Sequence, residues 1–208
     1  MAQLTLYHAT PSRSSVALWM LEEIGQPYDI KLLDLSKGDQ QKADYLAINP
    51  MGKVPALKHG DVIVTEVAAI CAYLADAFPQ AGLNIPVGEL RRGPYLKWLF
   101  FAPGVLEPAV TDRAFPRKEL PRRGTLGYGE FDTVMDVLSK VVTPGPYLMS
   151  DQFTAADVVI GANLRWGMLF KLIPERKELL DYVARVVDRP AAKRALAKDE
   201  DIKQQSGG

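Results

Sequence analysis

Apolar residues recur at helical spacing between Ser14 and Ile24 (Val16, Ala17, Met20, Leu21 and Ile24), which predicts a helix that Gly25 then stops. Gln3 to Tyr7 before it and Tyr28 to Leu33 after it read as short strands. A short helix is expected over Gln41 to Ile48, then a hairpin of Ala56 to Lys58 with Val62 to Val64, turned by Gly60-Asp61. Val67, Ile70, Cys71, Leu74, Ala75 and Phe78 then share one helix face. A β-α-β-α-β-β-α order of this kind predicts an open sheet with helices on its faces.

The grammar changes after Phe78. Pro79 to Gly88 carries prolines, glycines and few charges, as a linker does, and no convincing strand follows. Phe131, Val134, Met135, Leu138, Val141 and Val142 fall at helical offsets, and Pro190 before alanines and basic residues reads as the first turn of a last helix. Trp166 and Phe170 belong to a nearly all-apolar helix and are expected in the core, whereas the polar tail from Lys198 to Gly208 is expected to fray. Thr154 and Asp157 have the spacing of a capping box, with Phe153 stapled against Val158, so Asp157 is assigned a structural role. The chain is thus expected to divide into a domain over 1–79, a linker over 80–88 and an all-helical domain over 89–208.

The 208 residues are enough to bury a core, and 25 lysines and arginines balance 25 aspartates and glutamates. That balance gives no reason to expect nucleic acid or an anionic membrane as partner. The single cysteine, Cys71, can form neither a disulfide nor a cysteine metal site within one chain, and His8 and His59 lack the spacing of a metal pair, so no metal is expected. No signal-peptide pattern opens the chain and no apolar run approaches the roughly 20 residues of a membrane span, so a cytoplasmic protein is expected.

Two stretches carry candidate chemistry. In Asn49-Pro-Met-Gly-Lys-Val-Pro-Ala-Leu57, Pro55 directly precedes an apolar run, and a cis Val54-Pro55 bond would turn the Val54 backbone outward to pair with a peptide-like ligand. In Thr65-Glu-Val-Ala-Ala-Ile70, Glu66 opens a helix whose N-terminal N–H groups suit a carboxylate while its own carboxylate suits an ammonium.

These motifs, together with Leu4 to His8 leading to Ser12-Arg13-Ser14 and then Leu18 to Glu23, resemble the glutathione S-transferase family in its bacterial members. Tyr147-Leu148, Phe153 to Gly161 and Arg189-Pro190-Ala191 extend the resemblance over nearly the whole chain. It implies an α/β thioredoxin-like N-terminal domain followed by an all-α C-terminal domain, usually as a homodimer. It also implies glutathione as co-substrate, joined to a small hydrophobic electrophile with detoxification as the role.

Catalysis in this family lowers the pKa of the glutathione thiol, which needs a donor close to the start of the first helix. Thr10, Ser12, Ser14, Ser15 and Tyr7 offer hydroxyls there; Ser12 is favoured, with Ser14 beside it, and either serine also suits a helix cap. The resemblance assigns glutathione contacts to Arg13, Lys53, Val54, Pro55, Thr65, Glu66 and Val67, and a hydrophobic-substrate wall between the domains to Tyr95, Trp98, Phe101 and Phe115, with Arg91 and Arg92 at its rim. Val67 departs from the pattern, because the family commonly has serine or another small residue there. The alternatives are a non-catalytic binding or regulatory relative and a glutathione-dependent peroxidase, isomerase or dehalogenase.

Overall fold

A computed structural model describes residues 2–119 and 121–206. The elements run β1 (Leu4–His8), α1 (Ser14–Ile24), β2 (Tyr28–Leu32), α2 (Ala43–Leu46), β3 (Ala56–His59), β4 (Val62–Thr65), α3 (Val67–Ala77), α4 (Arg92–Phe101), α5 (Glu107–Ala114), α6 (Phe131–Val142), α7 (Ala155–Leu169), α8 (Lys177–Val187) and α9 (Pro190–Ser206). They form two compact units, one of 1–81 with 189–208 and the other of 82–188.

The first unit holds a four-stranded sheet in the order β2-β1-β3-β4. β1 runs parallel to β2 and antiparallel to β3, and β3 pairs antiparallel with β4. Strand alternation sends Leu4, Leu6 and His8 into the core, where α1, with Val16, Ala17, Leu18, Met20 and Leu21 buried, packs against α3 and α9. Tyr7 points the other way, into a cluster with Tyr45 of α2 and Ala56. This is a thioredoxin-like arrangement, as expected; the helix expected over Gln41 to Ile48 is shorter, a 3-10 turn Asp39–Gln41 followed by α2.

The last helix departs from expectation in two ways. It groups with the first unit instead of the helical one, and it does not fray, for α9 continues to Ser206; Gly207 and Gly208 lie outside the described residues. The physical reason is a set of charged contacts to α1. Glu22, nearly buried, receives Arg194 at 2.7 Å and Lys198 at 2.6 Å, and Glu23 receives the Arg189 fork at 2.8 and 2.7 Å. Burial works against the Glu22 carboxylate, yet the hydrogen bonds from Lys198, Tyr28 and Arg194 hold its pKa below the ordinary value.

The second unit is helical among its described residues. Its first segment is no loose linker: Leu83 and Ile85 are buried, Ala155 N–H donates to Leu83 O at 2.8 Å, and Gln152 Nε2 bonds the carbonyls of Gly82 and Asn84. The capping box of α7 forms as expected. Asp157, fully buried, also accepts from Leu148 N–H at 2.8 Å and Tyr182 OH at 2.9 Å, tying α8 to the start of α7. At the other end of α7 a Cβ on Gly167 would stand 2.1 Å from Ile173 Cδ1, so a larger residue here would push the Ile173 side chain aside. Beyond that point the helix runs out of the core. Phe170 is 53% exposed and Trp166 half-buried, contrary to the expectation that both are core.

Candidate functional site

Strand register brings the candidate residues of the first unit to one edge of the sheet. Tyr7 pairs with Ala56, and Ala56 with Thr65. The turn after β1, the segment before β3 and the start of α3 therefore leave the sheet at the same end. These segments hold Thr10 to Ser14, Lys53 to Pro55, and Glu66 with Val67.

Around Val54 the bond to Pro55 is cis, as expected from the sequence. The loop that carries it is braced by side chains whose part the sequence did not reveal. Tyr45 OH and the nearly buried Asn49 Nδ2 both donate to the carbonyl of Lys53, at 2.6 and 2.7 Å, while Asn49 Oδ1 accepts from Met51 N–H at 3.1 Å. Gly52 has φ 60°, and a Cβ there would stand 2.5 Å from Gln41 Nε2 and 3.0 Å from the Gln40 carbonyl. Only glycine suits that position. Lys53 is exposed and Val54 half-buried.

Glu66 occupies φ 68°, ψ 121°, a conformation that non-glycine residues rarely adopt and that costs of order 1–3 kcal/mol. Its carbonyl accepts the Ile70 N–H at 2.9 Å, starting α3, and its side chain is exposed. Thr65 and Val67 beside it are half-buried. A backbone held in this state at an exposed carboxylate is the kind of local cost found at binding sites.

The turn after β1 sorts the hydroxyls. Its Thr10-Pro11 bond is also cis, which the sequence reading did not foresee. Ser14 is fully buried, with Oγ within 3.1 Å of Ala9 N and 3.0 Å of Ala9 O, 2.8 Å from His8 Nδ1 and 2.6 Å from Ser12 Oγ. It is therefore committed to the interior and does not face a ligand, which corrects its place among the catalytic candidates. Tyr7 is likewise engaged, its ring 5.7 Å from that of Tyr45. Ser12 is half-buried, and its Oγ accepts the N–H of Ser14, the first residue of α1, at 3.1 Å while remaining at the surface. Arg13 next to it is exposed.

A sequence model described as the glutathione S-transferase N-terminal domain matches residues 2–76. An uncharacterised GST-like protein of Streptococcus mutans is 32% identical over 91% of this chain and 80% of its own length. The chain belongs to the glutathione S-transferase family. Glutathione S-transferase GstA of Escherichia coli O157:H7 is 29% identical over 86% of this chain and 90% of its own. The crystal structure of a glutathione transferase from Methylococcus capsulatus superposes with a TM-score of 0.77 at 29% identity, covering 95% of this chain and 98% of the other.

Within that family fold, the expected aromatic wall is only partly at the surface. Tyr95 and Trp98 are buried in the second unit, where α4 packs against α7, and so do not line a surface. Phe101, its ring 5.2 Å from that of Trp98, is half-buried, and Phe115 is 77% exposed. Of the expected rim arginines, Arg91 meets Gln152 and Glu89, and Arg92 donates to the Ile85 carbonyl at 2.6 Å. Cys71 is a buried thiol that burial pushes far above its ordinary pKa, which suits packing and not nucleophilic chemistry. Among the described residues no group of His, Cys, Asp and Glu side chains could hold a metal ion, and no helix is long and apolar enough to cross a membrane.

Proposed function

We propose that this protein conjugates glutathione to small hydrophobic electrophiles by holding the glutathione thiol as a thiolate. The observation that carries the reading is the shared edge of the sheet, where a surface hydroxyl, Ser12, at the start of α1 stands with the exposed carboxylate of Glu66, held in a rare backbone state at the start of α3. Relatives that bear the name glutathione S-transferase support it.

A free thiol is only a few per cent ionised near neutrality. Ser12 lowers its pKa by donating a hydrogen bond to the sulfur, helped by the positive end of the α1 dipole. Glu66 meets the α-ammonium of the γ-glutamyl end while N–H groups in the first turn of α3, with Thr65 beside them, take its carboxylate. The Val54 backbone before Pro55 pairs with the peptide, Lys53 faces the glycine carboxylate, and Arg13 adds positive charge near the sulfur. Phe101 and Phe115 remain the aromatic candidates for the electrophile. A homodimer in the cytoplasm completes the proposal.

Ser12→Ala should lower kcat about ten- to a hundredfold, the worth of one charge-assisted hydrogen bond, while changing glutathione affinity much less. Unchanged turnover would remove Ser12 from the mechanism and pass the role to Thr10 or Ser15.

One residue favours a second reading, a relative that binds without turnover. Val67 offers no hydroxyl where the family pattern commonly has one. Val67→Ser should tighten glutathione binding roughly tenfold by calorimetry. Unchanged or weaker affinity in a folded variant would sink the placement of the γ-glutamyl end and leave the non-catalytic reading stronger.

A further inference from the structure

His8 closes β1, is fully buried, and joins two parts of the first unit that are far apart in the chain. Its Nδ1 lies 2.8 Å from Ser14 Oγ, and its Nε2 stands 2.9 Å from Asp199 Oδ1 on α9, although this second approach is not aligned as a hydrogen bond. Ser14 Oγ is in turn 2.6 Å from Ser12 Oγ. A row of polar contacts therefore runs from Asp199 through His8 and Ser14 to the hydroxyl at the surface.

Counting hydrogens along this row gives two states. A hydroxyl has one hydrogen and two lone pairs, and a carboxylate facing Nε2 favours a proton on that nitrogen. If Nδ1 is bare, Ser14 gives its hydrogen to the ring and accepts from Ala9 N–H and from Ser12, so the Ser12 hydrogen is consumed inward. If Nδ1 is also protonated, Nδ1–H and Ala9 N–H fill both lone pairs of Ser14. The 2.6 Å contact then needs the Ser14 hydrogen, which turns away from the Ala9 carbonyl 3.0 Å off. Ser12, already accepting Ser14 N–H at 3.1 Å, is left with its own hydrogen pointing out.

We propose that His8, facing Asp199 through Nε2, is a positioning residue that acts through Ser14 to turn the Ser12 hydrogen outward. This rests on the reading of Ser12 as thiolate donor. On the packed helices, Glu22 and Glu23 of α1 pair with Arg189, Arg194 and Lys198, Cys71 of α3 is buried, and Asp76 of α3 with Lys193, Glu200, Asp201 and Lys203 of α9 are exposed. On the neighbouring strands, Asp29, Lys31 and Lys58 line a groove with Thr5 and Tyr7 on the opposite face of the sheet, and His59 bonds Tyr73. Asp199, with 15% of its side chain exposed, is the acid that reaches His8.

The test compares wild type, Asp199→Asn, Ser12→Ala and the double variant by steady-state kinetics across pH. Asp199→Asn should keep the glutathione KM within about twofold and lower kcat about tenfold near neutrality. Its deficit relative to wild type should shrink as pH falls, since a second ring proton, and not Asp199 itself, is what turns Ser14. In the Ser12→Ala background the same change should alter kcat less than about twofold. A deficit constant with pH, or equally large without Ser12, would make Asp199 merely structural and overturn the proposal. An unchanged kcat in Asp199→Asn beside a lowered one in Ser12→Ala would overturn it while sparing Ser12; an unchanged kcat in Ser12→Ala would remove both readings. Should Asp199→Asn fail to fold, nitrogen NMR of wild-type His8 decides. Two protonated ring nitrogens in the glutathione complex support the proposal, and one overturns it.

Discussion

Each unit fastens a helix with a carboxylate, nearly buried in Glu22 and fully buried in Asp157, and the two pKa values move in opposite directions. In the first unit Glu22 on α1 meets the cations Arg194 and Lys198 of α9, along with Tyr28 OH, and its pKa falls. In the second unit Asp157 meets only neutral donors: the backbone N–H groups of Leu148 and Thr154, and the hydroxyls of Thr154 and Tyr182. Burial there outweighs what those donors return, and the pKa rises. Asp157 lies deeper and has no cationic partner, and both differences push its pKa the other way. The acid–base behaviour of a clamp therefore follows both from how deeply it lies and from whether a cation closes it.

The largest test of this contrast removes the neutral clamp. Asp157→Ala leaves Leu148 N–H and Tyr182 OH without their buried acceptor, and the second unit should lose about 3 kcal/mol or more in denaturant unfolding, with little dependence on salt. Arg189→Ala should cost about 2 kcal/mol in the first unit, because Glu23 keeps only the Trp19 indole donor at 3.0 Å. That loss should lessen at high salt, which screens the remaining charge. An equal salt response in the two variants would break the comparison.

The smallest effect is the change with pH. Glu22 is held below 4.5, so its contribution is present above that pH and is lost as pH falls through the lowered value. Asp157 is held above 3.8, so its contribution is full below that pH and is lost as pH rises through the raised value. Hydrogen exchange should accordingly show α9 amides losing protection in acid relative to α7 amides. Glu22→Gln should flatten the α9 response at a cost of about 1 kcal/mol, since Arg194 and Lys198 are half exposed and screened. An α9 response that survives this substitution would mean that another carboxylate governs it.

The same contrast explains what the sequence disclosed. Thr154 and Asp157 lie within one helical turn, and their local geometry follows from their spacing; Tyr182 closes the site from another helix and leaves no local trace. Glu22 and Lys198 are separated by most of the chain, so neither the docking of α9 nor the division into units could be read from periodicity. The sheet was legible because hydrophobic alternation and the Gly60-Asp61 turn fix its register. The choice between Ser12 and Ser14 was not, since residues two apart in a turn are separated only by the path of the backbone, which here sends one inward and leaves the other at the surface. His8 offered no metal spacing, and its link to Asp199 is a tertiary fact. Trp166 and Phe170 misled because an apolar stripe predicts burial only as far as there is a core to receive it.

That the first unit draws α9 from beyond 82–188 has a consequence for how the protein is made. On the ribosome, the sheet, α1 and the whole helical unit emerge before the residues that neutralise Glu22 and Glu23. Until those residues arrive, α1 presents two acids and an apolar face to the solvent, and His8 has no carboxylate beside it. α9 is thus what turns a partly assembled sheet into one whose turn after β1 is fully backed, so nascent chains stalled in α8 should hold a folded second unit and an unfinished first.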